Sequence, residues 1–255
     1  MDNNSLVGIV ASQTDYLGST FRSQQILEAL RRVDRKNFIP DEEETLTVIS
    51  TASQQELAQT LEVIGVGKLP ALDDIRKIIT GASEINASVQ VLKVSRKDLA
   101  YNDLPLEIGY GQTCSQPSMV AFMADVLELK PGMKVLEIGT GCGYHAAVTA
   151  ELIGTTGKLY SLEYLPELAD VAEANLKKHF GPKYQKRVAI IQGDGSTGLP
   201  ERAPFDAIYL TAGVKLEYFE PGILAPQLKL PGGILLYPEE EGLLVKESYG
   251  RYGNI

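Results

Sequence analysis

Residues Lys134 to Ala147 read KVLEIGTGCGYHAA: a short apolar run, glycines at 139, 141 and 143, then a stretch of helical character. Glycines between a strand and a helix let a ligand come close to the backbone. A phosphate-cradling loop needs GxxxxGK followed by Ser or Thr, and no such pair follows here. A dinucleotide turn usually spaces its glycines GxGxxG, whereas these run GxGxG. Two readings remain for the turn: a tight connection that holds nothing, or one wall of a pocket for a ligand other than a phosphate.

The surroundings of the turn set its place in a fold. From residue 116 onward, strand and helix patterns alternate. A helix is expected from Pro117 to Leu129, ending at Lys130-Pro-Gly132. The strand Val135–Ile138, the glycine turn and a helix to Ile153 follow. KLYSLE (158–163) is a strand, and Pro166 to Phe180 a helix with Pro at its start and Gly181 past its end. RVAIIQ, FDAIYLTA, GGILLYP and EGLLVKES supply further strands. Apolar runs with helices between them predict a parallel sheet covered on both faces, a doubly wound α/β domain whose ligand sits beyond the carboxyl ends of the strands.

Upstream, the chain reads as two more parts. Residues 1–40 are a leader with helical spacing at Ile26, Leu27, Leu30 and Val33, closed by Pro40. Residues 41–98 read as a small inserted βααβ subdomain. A strand LTVIS leads into a helix opened by Ser53-Gln-Gln-Glu56 with Leu57, Leu61 and Ile64 on one face. A second helix carries Leu72, Ile75 and Ile79, and VQVLKV returns as a strand. Residues 99–255, with the leader, form the main domain.

Composition excludes several classes. Of 255 residues, 44% are hydrophobic, enough for a full core. A net charge of −9 argues against an electrostatic nucleic-acid binder and against attraction to anionic membranes. Two cysteines, Cys114 and Cys142, and two histidines make neither a disulfide framework nor a structural zinc site. The cysteines read as small apolar fillers, His145 as a packing residue and His179 as a surface residue, neither histidine with an evident carboxylate partner. The first residues lack the positive charge of a signal peptide, and no run approaches a membrane span, so a cytoplasmic protein is expected.

Two acids decide between the readings of the turn. Glu163 ends the strand after the glycine turn, where a ribose in such folds presents two hydroxyls that a carboxylate can accept. Asp194 stands between glycines at the next strand tip, in GDGSTGLP. Alone, Glu163 would read as an exposed strand-end acid and Asp194 as a turn former. Three aligned strand tips carrying turn, acid and acid describe an adenosine-shaped pocket.

These residues resemble the S-adenosylmethionine-dependent methyltransferases of class I, and more closely the protein-L-isoaspartate O-methyltransferase family. The resemblance rests on LEALRRVDRKNFIP (27–40), AYNDLPLEIGYGQTCSQPSMVAFM (100–123), VLEIGTGCGYHAA and GDGSTGLPERAPFDAIYLTA (193–212), in the family's order. It implies a Rossmann-like sheet and S-adenosylmethionine as cofactor, with isoaspartyl-containing proteins or peptides as substrates. The resemblance further implies that the free carboxyl of the damaged residue is methylated and that the ester closes to a succinimide, which reopens partly as normal aspartate. By position it implies a catalytic role for Ser115, and a cofactor lining of Gln112, Thr113, Cys114, Glu137, Gly139, Gly141, Glu163, Tyr164, Asp194 and Gly195. No metal is implied.

The residues themselves leave alternatives open. Ser115 precedes Pro117 at a helix start and could be a helix cap rather than a substrate contact. The pocket could serve another carboxylate or peptide, or bind S-adenosylmethionine without catalysis.

Overall fold

The computed structural model describes residues 2–12, 24–50, 88–211, 221–238, 244–250 and 253–254. The chain divides into two compact units, residues 1–40 with 100–255, and residues 41–99.

In the smaller unit, β1 (Glu43–Ser50) pairs antiparallel with β2 (Ser88–Ser95), in register from Glu43 opposite Ser95 to Ser50 opposite Ser88. The two helices expected between them lie outside the described residues. At the base of the pair, the acidic run meets basic partners: Arg96 contacts Glu42 at 2.5 Å and Lys97 contacts Asp41 at 3.1 Å. Both acids are well exposed, so these ion pairs contribute little stability.

The larger unit is built on a seven-stranded sheet. Five strands run parallel in the order β9–β8–β5–β6–β7: β5 (Lys134–Ile138), β6 (Lys158–Glu163), β7 (Val188–Gln192), β8 (Ala207–Leu210) and β9 (Gly233–Pro238). The chain winds outward from β5 to β7 and then crosses back to the other side of β5. The order therefore reverses beside β5, the place where such sheets bind ligands. The last strands depart from the all-parallel expectation. β10 (Leu244–Gly250) pairs antiparallel with β9, and the short β11 (Gly253–Asn254) antiparallel with β10. Only five residues separate β9 from β10, too few for the crossover that a parallel neighbour requires.

Helices cover the sheet: α3 (Pro117–Val126), α4 (Tyr144–Ile153) and α5 (Pro166–Phe180). Nine of the ten residues of α4 are buried, so it packs all round, with α2 (Gln24–Arg32) among its neighbours. Helix α2 buries Ile26, Leu27, Ala29 and Leu30 and leaves its charged residues outside. A further helix, α1 (Asn3–Ser12), has no counterpart in the sequence reading. It buries Leu6, Val7 and Val10 beside α2 and α3. The Asp2 carboxylate caps it by accepting from the Ser5 N–H at 2.8 Å, as an acid before a helix start commonly does. On one side of the sheet, Leu136, Ile208, Phe205, Leu224 and Leu235 form a fully enclosed cluster. Each such burial contributes about 1.5–3 kcal/mol.

His179 differs from its reading as a surface residue. It is largely enclosed, and its Nε2 lies 3.8 Å from Glu151, which also binds Arg32 at 2.7 Å and Arg187 at 3.1 Å. The bond from His179, with the charges of Arg187 and Arg32, holds the Glu151 carboxyl well below the usual carboxylate range against the opposing effect of burial.

The leader is joined to the rest by Arg35, which is fully buried. Its Nη1 donates to the carbonyls of Ala100 (3.2 Å) and Asn102 (3.0 Å). Its Nη2 donates to those of Leu104 (2.8 Å), Cys114 (3.4 Å) and Ser115 (3.1 Å). The guanidinium also lies 5.7 Å from the ring centroid of Tyr144, within range of a cation–π contact. Removing it would leave several buried carbonyls without donors. Arg35→Met is expected to lower the unfolding free energy by at least about 3 kcal/mol, and Arg35→Lys not to restore it, because one ammonium cannot reproduce the planar fork. Urea unfolding midpoints check this; a methionine variant as stable as the parent would refute it.

Candidate active site

The glycine turn is formed by three residues in left-handed conformation: Gly139 (φ 98°), Gly141 (φ 55°) and Gly143 (φ 85°). That backbone explains their alternation, because only glycine adopts it without strain. The turn is fastened from both neighbouring strands. Glu163, at the end of β6, accepts from the Gly141 N–H at 2.8 Å and from the Leu165 N–H at 3.0 Å. Thr211, just past β8, donates to the Gly139 carbonyl through a short bond. At the tip of β7, a Cβ on Gly195 would stand 2.5 Å from the Ile138 side chain, so only glycine allows this approach.

These strand ends open onto a cavity of about 580 Å³, within the range of small-molecule sites. Gly139, Gly141, Glu163, Tyr164, Asp194 and Gly195 line it from the sheet. Gln112, Thr113, Cys114 and Ser115 line it from β4 (Gln112–Cys114) and the link to α3. β4 pairs antiparallel with β3 (Leu106–Gly109) as a hairpin. All the residues singled out by sequence thus meet at one place except Glu137.

Glu137 does not line the cavity, which corrects its assignment to the cofactor wall. Its side chain is fully buried, accepting from Tyr209 Oη at 2.9 Å and from Ser161 Oγ. Ser161 in turn contacts Thr140 of the glycine turn at 2.6 Å, and Tyr209 contacts Thr149 of α4 at 2.9 Å. Glu137 is therefore the hub of a buried chain beneath the turn. Burial pushes its carboxyl up to about 8, against the bonds from Ser161 and Tyr209, with the Glu163 charge adding to the rise. A carboxyl raised in the folded state stabilises most below its unfolded value, near 4.5, and that contribution is lost as pH rises towards 8. Glu137→Gln mimics the neutral acid, so the variant is expected to lose less stability than the parent between about pH 5 and pH 8. Equal pH slopes in urea titrations of the two proteins would count against it.

Ser115 is half-buried, and its hydroxyl makes no hydrogen bond among the described residues. It does not cap α3. The residue at the cap position is Gln116, whose side chain makes no capping bond. Asp103 takes that place: it accepts from the Ser118 N–H at 2.8 Å and from Gln116 Nε2 at 3.1 Å, as a capping carboxylate does. Asp194, by contrast, does cap a turn, accepting from the Ser196 N–H at 2.9 Å, which draws its carboxyl below the usual range. It is exposed at the cavity edge.

Sequence reasoning missed other lining residues, among them Tyr110, Thr140, Tyr144 and Thr211. Thr140 and Thr211 had a signal in their adjacency to strand ends; Tyr144 had none, since helix position alone does not separate lining from core. His145 also borders the cavity, 4.8 Å from the Tyr209 ring centroid. Burial depresses its imidazole to about 3, so it is uncharged near neutral pH. No cluster of three or more metal-ligating side chains occurs among the described residues, and no described helix is long and apolar enough to cross a membrane.

The reversal of strand order beside β5, the left-handed glycine turn and the acid at the end of β6 define the Rossmann-like fold of class I methyltransferases. Among solved structures, one described as a putative protein-L-isoaspartate O-methyltransferase from Plasmodium falciparum, in complex with S-adenosyl-L-homocysteine, matches with a TM-score of 0.64 and 19% identity, covering 100% of this chain and 93% of that one. A second protein-L-isoaspartate O-methyltransferase matches with a TM-score of 0.61 and 24% identity, covering 97% of this chain and 59% of that one. At these identities the likeness concerns the fold.

The sequence carries the family. The family model described as Protein-L-isoaspartate(D-aspartate) O-methyltransferase (PCMT) matches residues 71–248. Protein-L-isoaspartate O-methyltransferase 2 of Archaeoglobus fulgidus is 53% identical over 168 residues, 61% of this chain and 74% of that protein. The protein-L-isoaspartate O-methyltransferase of Hyperthermus butylicus is 49% identical over 149 residues, 56% of this chain and 59% of that protein. The chain belongs to the protein-L-isoaspartate O-methyltransferase family.

Glu163 uses two of its acceptor positions on backbone N–H groups. A carboxylate has about four, which leaves room for a ribose diol. Glu163→Ala is therefore expected to weaken S-adenosylmethionine binding by roughly 1.5–3 kcal/mol. Calorimetry on a folded variant with unchanged affinity would remove Glu163 from the cofactor wall.

Proposed function

We propose that this chain methylates the free carboxyl group of isoaspartyl residues in damaged proteins and peptides, with S-adenosylmethionine as methyl donor. The observation that carries the reading is the Ser115 hydroxyl. It borders the same cavity as Glu163 and the glycine turn, and the duty of capping α3 falls to Asp103.

The residues present fit the cofactor. The backbone of Gly139 to Gly141 allows close approach, Glu163 offers acceptors for a ribose, and Tyr164 and Asp194 edge the adenosine side. When bound, S-adenosylmethionine supplies an electrophilic methyl carbon on a sulfonium that carries its own leaving group. A substrate carboxylate is already ionised near pH 7, so the chain need not provide a strong base. Its oxygen would take the methyl group, with the neutral thioether as leaving group. The task left to the protein is alignment. The Ser115 hydroxyl donates to one carboxylate oxygen and holds the other towards the methyl group. Arg35, bound to the Ser115 carbonyl from behind, fixes the backbone that carries this hydroxyl. The two cysteines are free thiols, which suits a reducing compartment such as the cytoplasm.

Mass spectrometry of an isoaspartyl peptide and its normal aspartyl counterpart, each incubated with protein and S-adenosylmethionine, tests the activity. The isoaspartyl peptide alone should gain a methyl group. Ser115→Ala should lower turnover by roughly 10²-fold, the scale of a lost alignment, with S-adenosylmethionine affinity within a few-fold. Retained turnover in the alanine variant would sink the role of Ser115, and methylation of neither peptide would sink the substrate.

A further inference from the structure

The hairpin that delivers Ser115 turns at Tyr110 and Gly111, with Gly109 opposite Gln112. Three successive residues there are left-handed: Gly109 (φ 91°), Tyr110 (φ 56°) and Gly111 (φ 69°). Two-residue hairpin turns of this hand favour Gly, Asn and Asp, because a larger side chain is strained there. Tyr110 is one of only two non-glycine residues with positive φ among the described residues, the other being Glu128. The residue is also 61% exposed. Among the described residues, the large apolar or aromatic side chains that stand out into solvent are Tyr110, Tyr164, Val171, Ile223 and Leu230. The two aromatic ones both line the cavity. Tyr164 follows Glu163 and belongs to the cofactor side. Tyr110 precedes Ser115 by five residues, in the turn of the hairpin.

A strained backbone and a solvated aromatic ring at one position both count against stability, and the packing of the hairpin explains neither. We propose that Tyr110 is a specificity-determining residue that contacts the peptide on either side of the isoaspartyl residue; this rests on the isoaspartyl reading of the site. A tyrosine ring presents a flat apolar face with a hydroxyl at its end and loses little rotamer freedom on contact. Such a face accepts an extended chain without dictating its side chains, the recognition suited to damage that arises in many sequence contexts. The ligand class is an extended oligopeptide, whose residues beside the isoaspartyl residue would meet the ring.

The test compares the parent, Tyr110→Gly and Tyr110→Phe on two substrates: an oligopeptide with isoaspartate at its centre, and a single isoaspartyl residue with acetyl and amide ends. Glycine suits the turn, so Tyr110→Gly should fold with a Tm at least equal to that of the parent. It should raise KM for the oligopeptide by roughly five- to tenfold, the scale of an aromatic contact. Its KM for the blocked residue and its Kd for S-adenosylmethionine should not change, and Tyr110→Phe should keep most of the oligopeptide affinity. An unchanged oligopeptide KM, an equal rise for both substrates, or a loss of cofactor affinity overturns the proposal. If the parent methylates neither substrate, the isoaspartyl reading itself fails, a result distinct from the other three.

Discussion

A buried guanidinium needs acceptors, and the two terminal nitrogens of Arg35 find five carbonyl oxygens drawn from two separate stretches of chain, while its Nε has no partner among the described residues. Each carbonyl it binds is thereby fixed near one point. The first stretch, residues 100–104, is where the chain returns to the larger unit after residues 41–99. The second, residues 114–115, carries the hydroxyl at the cavity wall. The same side chain thus anchors the re-entry of the chain and the position of Ser115. Asp34, next in sequence, adds to the clamp by accepting from Tyr101 Oη at 3.0 Å, which helps burial push the Tyr101 phenol up to about 12. With both ends of the excursion held by such bonds, the roughly sixty residues of the smaller unit add only a slowly growing loop-closure cost. That is a physical reason why a compact unit can stand between Pro40 and Ala100 without disturbing the sheet.

The glycine turn on the sheet side of the cavity is fastened differently. There the backbone of the glycine turn is held by bonds to its own amide and carbonyl groups, from Glu163 on one side and Thr211 on the other. Beneath it runs the chain from Thr140 through Ser161, Glu137 and Tyr209 to Thr149, which links β5, β6, β8 and α4. A buried network of this kind stabilises only when its members are satisfied, and here each hydroxyl and the carboxyl has a partner. Its cost shows in the raised proton affinity of Glu137. The sheet side of the cavity is therefore held by strand ends and a polar network, the Ser115 side by the Arg35 guanidinium, the Asp103 carboxylate and a hairpin.

The alternation of strands and helices from residue 116 onward is legible because apolar runs, Pro starts and Gly stops agree with one another there. The antiparallel β10 needs one more inference, that five residues cannot make a crossover. Helix α1 is not legible: its residues are apolar on most faces, so no period stands out before its neighbours are known. In the site, Glu163 and Asp194 are legible as cavity-lining residues because each stands at a strand tip beside the glycine turn, although each also serves backbone N–H groups. Glu137, assigned to the lining only through the family resemblance, cannot be checked from the sequence itself. Strand β5 is buried on both faces, so alternation says nothing about which way a side chain points, and an acid near a glycine turn looks like part of the wall. Arg35 sits in RRVDRK, a run that reads as a solvated helix end. Its burial depends on carbonyls that lie far along the chain, at residues 100–104 and 114–115. The pairing of His179 with Glu151 is equally nonlocal, joining α5 to α4.

The serine shows how a local reading and a functional one can be separated by a third residue. In sequence, Ser115 before Gln116-Pro117 satisfies the requirements of a helix cap as well as those of a substrate contact. An N-terminal helical turn has several N–H groups to satisfy, and any nearby acceptor can serve. Asp103, upstream of the hairpin, fills that role with one oxygen while its other holds Gln116. A carboxylate in this place accepts a stronger bond than a hydroxyl would, and it suits the positive end of α3. The consequence lies just outside the helix: the hydroxyl of Ser115 is left to border the cavity, with its backbone carbonyl tied behind it to Arg35. A group relieved of its structural duty and fixed by its main chain is available to orient a substrate oxygen.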